Sequence, residues 1–312
     1  MNNSPKHYDS NGFTLIELVM VITLMAIIAA TVTPILTRPF ANYQIQYARQ
    51  ELVSLAQSSV DKISQEIKQA LPNTIRISSD GSTLEFILIE QGGRYRSSIL
   101  SGDNSALSPS QADSRFTILG LYGTYNNDGA RLSLYNTSVS TFYTQLLQST
   151  DQTTVTAANN NVQITPLSVT TCITDCSQSA NSAPIADISL SRPHQFDSLG
   201  FGSPKNRIFL FTTGVIYQCS TDIGAADGSL NIYRYQNYDF KSDQADLDTR
   251  AEIEASAAEI KSLLSQKLSQ CEFSYTQGNS TRSGVIDISI TMQNEVAGTI
   301  TLLKQVLVQN AP

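Results

Sequence analysis

The sequence is poor in the residues from which common catalytic and metal sites are built. Its 312 residues include no tryptophan and only two histidines, His7 and His194. Histidine clusters for acid–base or zinc chemistry are therefore nearly excluded, and the motifs of serine hydrolases, zinc proteases and nucleotide-binding loops do not occur. We predict no catalytic residue, no metal site and no cofactor, and hence a protein that is not an enzyme.

Charged side chains are also scarce. They make up 15% of the residues, whereas about a quarter is usual in soluble proteins. The net charge is −7, and the sequence pI is about 4.9. A protein that binds nucleic acid needs a basic face for the phosphate backbone, so we predict no nucleic-acid partner.

One long apolar segment lies near the start of the chain. Twenty residues without a charge separate Glu17 from Arg38. As a helix with a rise of about 1.5 Å per residue they would span about 30 Å, which is the thickness of the hydrocarbon core of a membrane. The run is too long for an ordinary signal peptide. A simple signal anchor fits its length but does not explain Glu17.

Glu17 has two interpretations. Thr14 and Glu17 have the spacing of a capping box, in which the carboxylate satisfies a backbone N–H at the start of a helix. Alternatively, an acid at the membrane edge marks a partner, because an unpaired charge there costs several kcal/mol. If the chain were cut after Gly12, the new amine of Phe13 would lie four residues from Glu17, on the same side of a helix.

The stretch GFTLIELV at residues 12–19 resembles the signature of type IV prepilins and of the pseudopilins of type II secretion. The resemblance implies that a prepilin peptidase cleaves after Gly12 and that Phe13 is then N-methylated. It implies that Glu17 pairs with the N-terminal amine of an adjacent subunit during assembly. Pro34 stands where many pilins have a helix-breaking proline. The chain would cross the inner membrane once, with its C-terminal part in the periplasm.

The prepilin resemblance implies the leader, and apolar periodicity predicts how the rest of the chain is divided. We expect a leader at 1–12, a transmembrane assembly helix at 13–37, an amphipathic helix at 38–72 and a β-rich periplasmic domain at 73–312. Pro34 and Pro39 should kink or break the helix, because proline lacks an amide donor and clashes with the preceding turn. The amphipathic half carries one apolar stripe, formed by Leu52, Leu55, Ala56, Val60, Ile63, Ile67, Ala70 and Leu71.

Alternating apolar patterns predict an antiparallel sheet, and the fold class is therefore α+β, as in pilins. A hairpin is expected from strands at 74–78 and 83–90, and weaker strands at 115–119 and 130–135 flank a turn at 126–129. A polar stretch at about 132–200 is predicted to be a loop-rich insertion with a few short strands. Further strands are expected at 207–213, 215–220, 230–235, 271–275, 284–292 and 299–308. A second helix should begin with the capping box Thr249–Glu252 and bury Ile253, Ala257, Ile260, Leu264 and Leu268.

Four cysteines fit disulfides better than metal binding, because the exported part offers only His194 as an additional ligand. Three connectivities are possible, and we prefer Cys172–Cys176 with Cys219–Cys271. The acids at 243, 246 and 248 lack the regular spacing of a calcium loop.

Within the family, the length and several stretches resemble a minor pilin of the mannose-sensitive haemagglutinin (MSHA) pilus. Those stretches include residues 67–78, 203–220 and 302–312. The implied partners are other minor and major pilins, the prepilin peptidase and, before assembly, the inner membrane. The implied role is priming of assembly or a place at the pilus tip. Two alternatives are a J-type pseudopilin and a membrane-anchored tip adhesin that binds glycans.

Overall fold

The structure is a computed structural model that describes residues 14–97, 106–120, 131–148, 163–168, 185–196, 202–221, 230–256, 260–278 and 283–308. The chain divides into two compact units. One comprises residues 1–51 with 294–298, and the other comprises 52–293 with 299–312. The predicted sites at Gly12, Phe13, Cys172 and Cys176 lie outside the described residues.

Three α-helices occur in the described residues: α1 (Leu15–Ile67), α2 (Val139–Gln148) and α3 (Arg250–Ala255). Short 3₁₀ turns occupy Pro204–Asn206 and Gln244–Leu247. Helix α1 continues through positions 34 and 39, so the break that we expected there does not occur. A kink at Pro34 stays a prediction.

The strands carry most of the remaining regular structure. They are β1 (Arg76–Ile77), β2 (Thr83–Ile87), β3 (Gln91–Tyr95), β4 (Ala112–Leu119), β5 (Arg131–Leu134), β6 (Gln163–Ser168), β7 (Ile185–Gln195), β8 (Arg207–Phe211), β9 (Gly214–Thr221), β10 (Leu230–Gln236), β11 (Ile260–Thr276), β12 (Gly284–Asn294) and β13 (Gly298–Val308). Seven of them form a sheet in the order β1-β2-β9-β10-β11-β12-β13, and the other six close a barrel in the order β3-β4-β7-β6-β5-β8. This confirms the predicted α+β class with a long N-terminal helix and antiparallel sheets.

The C-terminal part of α1 is held by a buried apolar stripe. Leu52, Ala56, Val60, Ile63 and Ile67 are at most 2% exposed, as the spacing of three and four residues predicted. Leu55, which we placed in the same stripe, is 40% exposed. Burial of this stripe contributes roughly 1.5–3 kcal/mol for each large side chain that leaves water.

Glu66 connects the last turn of α1 to the sheet. Its carboxylate accepts hydrogen bonds from Arg234 Nε at 2.9 Å and from the Tyr217 hydroxyl at 2.7 Å, and Lys62 Nζ lies 2.9 Å from the other oxygen. Tyr217 belongs to β9 and Arg234 to β10, where they are cross-strand neighbours. The acid therefore ties two adjacent strands to the helix.

The opposite face of the sheet has its own apolar cluster. Ile216, Tyr233, Tyr235 and Tyr238 pack with Leu247 of the second 3₁₀ turn and Ile253 of α3. Ile216 is next to Tyr217, and successive strand residues point to opposite faces. The sheet is therefore covered by α1 on one face and by α3 with the 3₁₀ turn on the other.

A buried ion pair fixes the first hairpin. Arg76 of β1 donates from Nε to Glu85 of β2 at 2.6 Å, and its guanidinium also donates to the carbonyls of Lys241 and Ser242. The same guanidinium stacks 3.5 Å from the ring centre of Tyr143 in α2. A buried charge pair is tolerated only when its remaining hydrogen bonds are also satisfied, and this network satisfies them.

The disulfide Cys219–Cys271 forms as we preferred, and it joins β9 to β11. The turn between β1 and β2 lies beside it, because the Ser82 carbonyl accepts from the Cys219 N–H and the Gly81 carbonyl accepts from the Phe273 N–H. Gly81 has a φ of +74°, and an added Cβ there would lie 3.0 Å from the carbonyl oxygen of Phe273. Glycine is therefore required at this turn.

The predicted second helix is largely wrong. Its capping box is present, since Thr249 accepts from the Glu252 N–H and Glu252 accepts from the Thr249 N–H, but α3 ends at Ala255. Residues 260–276 instead form β11, which pairs with β10 and then with β12. A spacing of four residues, as in Ile260, Leu264 and Leu268, suits one face of a strand as well as one face of a helix. Pairing on the sheet decides between them.

The middle of the chain also differs from the prediction. Strands β4 and β5 are not paired around a turn at 126–129, because β4 pairs with β3 and β7 whereas β5 pairs with β6 and β8. The stretch at 132–200, expected to be loop-rich with a few short strands, contributes three strands to a closed barrel and also the helix α2, which was not expected. Phe142, Tyr143 and Leu146 bury one face of α2 against Leu71, Ile87 and Phe211. These three apolar residues have helical spacing, but the polar composition around them led us to predict loops instead of a helix.

The Glu66 contacts give a pH-dependent prediction. Burial alone raises the pKa of Glu66, but the hydrogen bonds from Arg234, Lys62 and Tyr217 outweigh it and lower the pKa below 4.5. Its stabilising contribution is therefore present above pH 4.5 and is lost as the pH falls through the lowered pKa. At neutral pH, Glu66→Gln should lower the free energy of unfolding by about 1.5–3 kcal/mol, measured by urea denaturation.

Below pH 4.5 the difference between Glu66→Gln and the unmodified chain should shrink. Glu51→Gln, on an exposed position of the same helix, is the matched control and should change stability little. A Glu66→Gln difference that stayed constant with pH would contradict the proposed cause.

Candidate membrane-anchoring and assembly helix

Thr14 and Glu17 form the start of α1. The Glu17 N–H lies 3.3 Å from the Thr14 hydroxyl and 3.1 Å from the Thr14 carbonyl, so Thr14 accepts hydrogen bonds from the first turn. This is one half of the predicted capping box. The Glu17 side chain is exposed, and its carboxylate is therefore accessible to a partner at the end of the helix.

The first half of α1 exposes apolar side chains around its whole circumference. The large apolar side chains between 40% and 81% exposed in this segment are Leu15, Ile16, Leu18, Val19, Met20, Val21, Ile22, Leu24, Met25, Ile27, Ile28, Val32 and Ile35. A helix that is apolar on all sides is a core helix or a membrane span, and this one is buried nowhere along its most apolar window. It is long and apolar enough to cross a membrane.

Three threonine hydroxyls within this segment are hydrogen-bonded to the helix itself. The hydroxyls of Thr23, Thr31 and Thr33 donate to the carbonyls of Met20, Ile27 and Ala29, at 2.6–3.1 Å. In a lipid environment a hydroxyl without a partner is costly, because no water is present to bond it. These threonines are therefore compatible with a bilayer.

The described residues offer little for catalysis or metal binding. No group of three or more His, Cys, Asp or Glu side chains in the described ranges could hold a metal ion. His194, considered as a metal helper, instead packs its ring edge-to-face against Phe196 at 4.8 Å between ring centres. Burial lowers the pKa of His194 to about 4, so the ring is neutral at physiological pH. Its surroundings are those of a core side chain.

Sequence reasoning missed the polar contacts that hold α1 on the sheet. Lys62 and Glu66 have the four-residue spacing of a helical ion pair, which could have drawn attention to this position. Nothing local indicates that Tyr217 and Arg234, about 150 residues later, complete the group. Among the predicted site residues, the structure brings Cys219 and Cys271 together and places Glu17 in the first turn of α1.

Comparison with known proteins finds a family match in the N-terminal segment of the chain. The family described as "Prokaryotic N-terminal methylation motif" matches residues 8–33, which include Gly12, Phe13 and Glu17. This match supports a protein of the type IV pilin family and is consistent with a membrane-anchored pilin. No curated protein and no solved structure matches the chain significantly.

The exposed apolar segment yields a test of membrane insertion. Ile28 lies near the middle of the charge-free run, so Ile28→Asp should disfavour insertion by about 2.5–3.5 kcal/mol, the cost of a carboxylate at the centre of a membrane helix. The fraction of chain that resists alkaline extraction from membranes should fall by more than roughly tenfold.

The matched control is Leu55→Asp, which places the same acid at a 40% exposed apolar position further along α1 and should leave membrane retention unchanged. Equal retention of Ile28→Asp and the unmodified chain would contradict a membrane span at residues 18–37.

Proposed function

We propose that the chain is a minor pilin of an MSHA-type type IV pilus, most similar to the minor pilin MshO, and that it primes filament assembly or occupies the pilus tip. One observation carries the pilin part of this proposal. The methylation motif at residues 8–33 lies at the beginning of a helix whose apolar side chains are exposed on every side. A helix of this kind needs either lipid or other apolar helices around it.

The proposed mechanism begins with proteolysis. The prepilin peptidase cleaves after Gly12 and leaves Phe13 with an amine, which is then methylated. Glu17 is four residues further on, at the edge of the apolar segment. Its exposed carboxylate pairs with the amine of an adjacent subunit, so the charge is compensated only when a neighbour is present. An uncompensated acid costs about 2.5–3.5 kcal/mol at the centre of a membrane helix and less at its edge, where Glu17 lies, and this cost favours the assembled over the isolated subunit.

The C-terminal domain lies in the periplasm before assembly and on the pilus or cell surface afterwards. The disulfide Cys219–Cys271 supports this location, because disulfides persist in oxidising compartments such as the periplasm. The Cys172–Cys176 bond is proposed on the same ground. The assembly partners are other major and minor pilins, which contact this chain through their N-terminal helices.

Sequence stretches support the MSHA assignment within the family. Residues 203–220, which resemble MshO, form β8 and β9, and the resembling CEFSY segment at 271–275 lies in β11. A J-type pseudopilin of type II secretion shares the general layout, including a cysteine in the strand at position 219. It is therefore the principal alternative within the same family.

The assembly role can be tested at Glu17. Glu17→Ala should leave peptidase processing intact, seen by mass spectrometry as a mature N-terminus at Phe13. It should reduce incorporation into pili by more than roughly tenfold, since it removes an interaction of about 2.5 kcal/mol. Glu51→Ala, an exposed acid further along α1, is the matched control. Normal piliation with Glu17→Ala would contradict the pairing, and a chain that retains Met1 would contradict pilin processing.

A tip adhesin that binds glycans is a second candidate, favoured by the six-stranded barrel. All of its strands lie between β2 and β9, so the barrel is a module inserted into the pilin-like sheet. Ile87 at the end of β2 pairs with Gly214 at the start of β9. The two strands could therefore be joined by a short turn without changing their register.

Replacing residues 91–211 with a short turn should separate the two roles. Loss of surface adhesion with a normal number of pili would support the adhesin, whereas loss of pili would support a priming role. Pilus counts by electron microscopy and attachment assays on the same cells provide the measurement. Circular dichroism and urea denaturation of the shortened chain would establish that the remaining sheet is folded.

A further inference from the structure

Three aromatic side chains on α1 are exposed just beyond the charge-free segment. Phe40, Tyr43 and Tyr47 are 70%, 68% and 63% exposed. Their spacing of three and four residues places them on one face of the helix, which we call the aromatic stripe. The rings of Tyr43 and Tyr47 stack with their centres 6.5 Å apart. An exposed cluster of large aromatic side chains indicates an interaction surface.

The turn between β12 and β13 is hydrogen-bonded to this part of α1 at a position away from the aromatic stripe. Arg49 donates from Nε to the Ala297 carbonyl of that turn at 3.1 Å. At about 100° per residue, Arg49 projects about 120° away from Tyr43 and about 160° away from Tyr47. The aromatic stripe therefore faces a different side from the turn.

The stripe lies at the depth of a lipid headgroup layer if residues 18–37 span the hydrocarbon core. With a rise of about 1.5 Å per residue, Phe40 is about 3 Å, Tyr43 about 8 Å and Tyr47 about 14 Å beyond Arg38. The headgroup region extends roughly 5–8 Å beyond the hydrocarbon on each side. Phe40 and Tyr43 would lie within this layer, whereas Tyr47 would lie about 6 Å outside it, on the aqueous side.

The chemistry of the stripe fits the same layer. A tyrosine has an apolar ring and a polar hydroxyl, and tyrosine is enriched at membrane interfaces for this reason. The polarity of the stripe increases away from the hydrocarbon, because the fully apolar Phe40 lies nearest to it and the two tyrosines lie further out. The cationic Arg38 precedes the stripe and is complementary to lipid phosphates.

We infer that Phe40 and Tyr43, the membrane-proximal part of the aromatic stripe, are an interfacial anchor, which binds the phospholipid headgroup layer and fixes the depth of α1 in the membrane. The partner is the bilayer surface that is continuous with the membrane span. The inference rests on the proposed membrane anchoring, and it adds a surface that neither the prepilin motif nor Glu17 accounts for.

The absence of tryptophan allows a direct test, because one substitution introduces the only indole in the protein. The full chain carrying Tyr43→Trp is placed in vesicles of phosphatidylcholine and phosphatidylglycerol. Its emission should shift to shorter wavelength, and lipids brominated near the headgroup should quench it more than lipids brominated deep in the acyl chain. Tyr47→Trp lies about 6 Å further along the helix and should be quenched less.

Two controls separate this inference from the proposed function. Ile28→Trp, in the middle of the span, should be quenched most by the deeply brominated lipid. Leu303→Trp, at a 64% exposed position of β13, should respond to an aqueous quencher and not to brominated lipid.

Three results of these quenching measurements would contradict the interfacial anchor. If Ile28→Trp responds to brominated lipid but Tyr43→Trp behaves like Leu303→Trp, the anchor is wrong and the membrane span survives. If Tyr43→Trp is shielded from both quenchers, a second protein helix covers the stripe and the lipid partner is wrong. If Ile28→Trp also stays in water, the proposed function fails and the anchor fails with it.

Discussion

Exclusion of water from residues 18–37 is the constraint on which the rest of the molecule depends. Apolar side chains cover the whole circumference of this helical segment, and its threonine hydroxyls bond to its own carbonyls. Only lipid or other apolar helices can surround such a surface at low cost. A single acid, Glu17, lies at its first turn. Membrane retention and assembly with neighbours are thus two ways of satisfying one physical requirement.

The second half of α1 meets a different requirement. From Leu52 onward one apolar stripe is buried, and Glu66 adds hydrogen bonds to Tyr217 and Arg234 on adjacent strands. Within the same sheet, the disulfide Cys219–Cys271 joins β9 to β11, and the buried pair Arg76–Glu85 joins β1 to β2. One continuous helix therefore has an apolar segment exposed all round and a segment fixed on a sheet, which is the arrangement a membrane-anchored subunit needs.

Local patterns predicted the elements that local physics controls. The apolar stripe from Leu52 to Ile67, the first hairpin, the C-terminal hairpin and the capping box at Thr249 were all readable, because each depends on neighbours a few residues apart. The part of β11 before residue 271 was not, since apolar residues four apart suit a helix and a strand equally. The barrel was missed because its pairings join strands far apart in the sequence, with Gln91 of β3 opposite Leu210 of β8, and because its polar composition indicated loops.

The sequence by itself determined the apolar segment, its acid, the prepilin motif and the pattern of the amphipathic helix, because composition and short-range periodicity are sufficient for these. Only the tertiary structure decided which strands are neighbours, that two sheets form instead of one, and that Glu66 meets Tyr217 and Arg234. The reason is that strand pairing and buried polar networks join residues distant in sequence. The free energy of these contacts depends on which distant groups are buried against one another, and short-range sequence patterns carry no information about that.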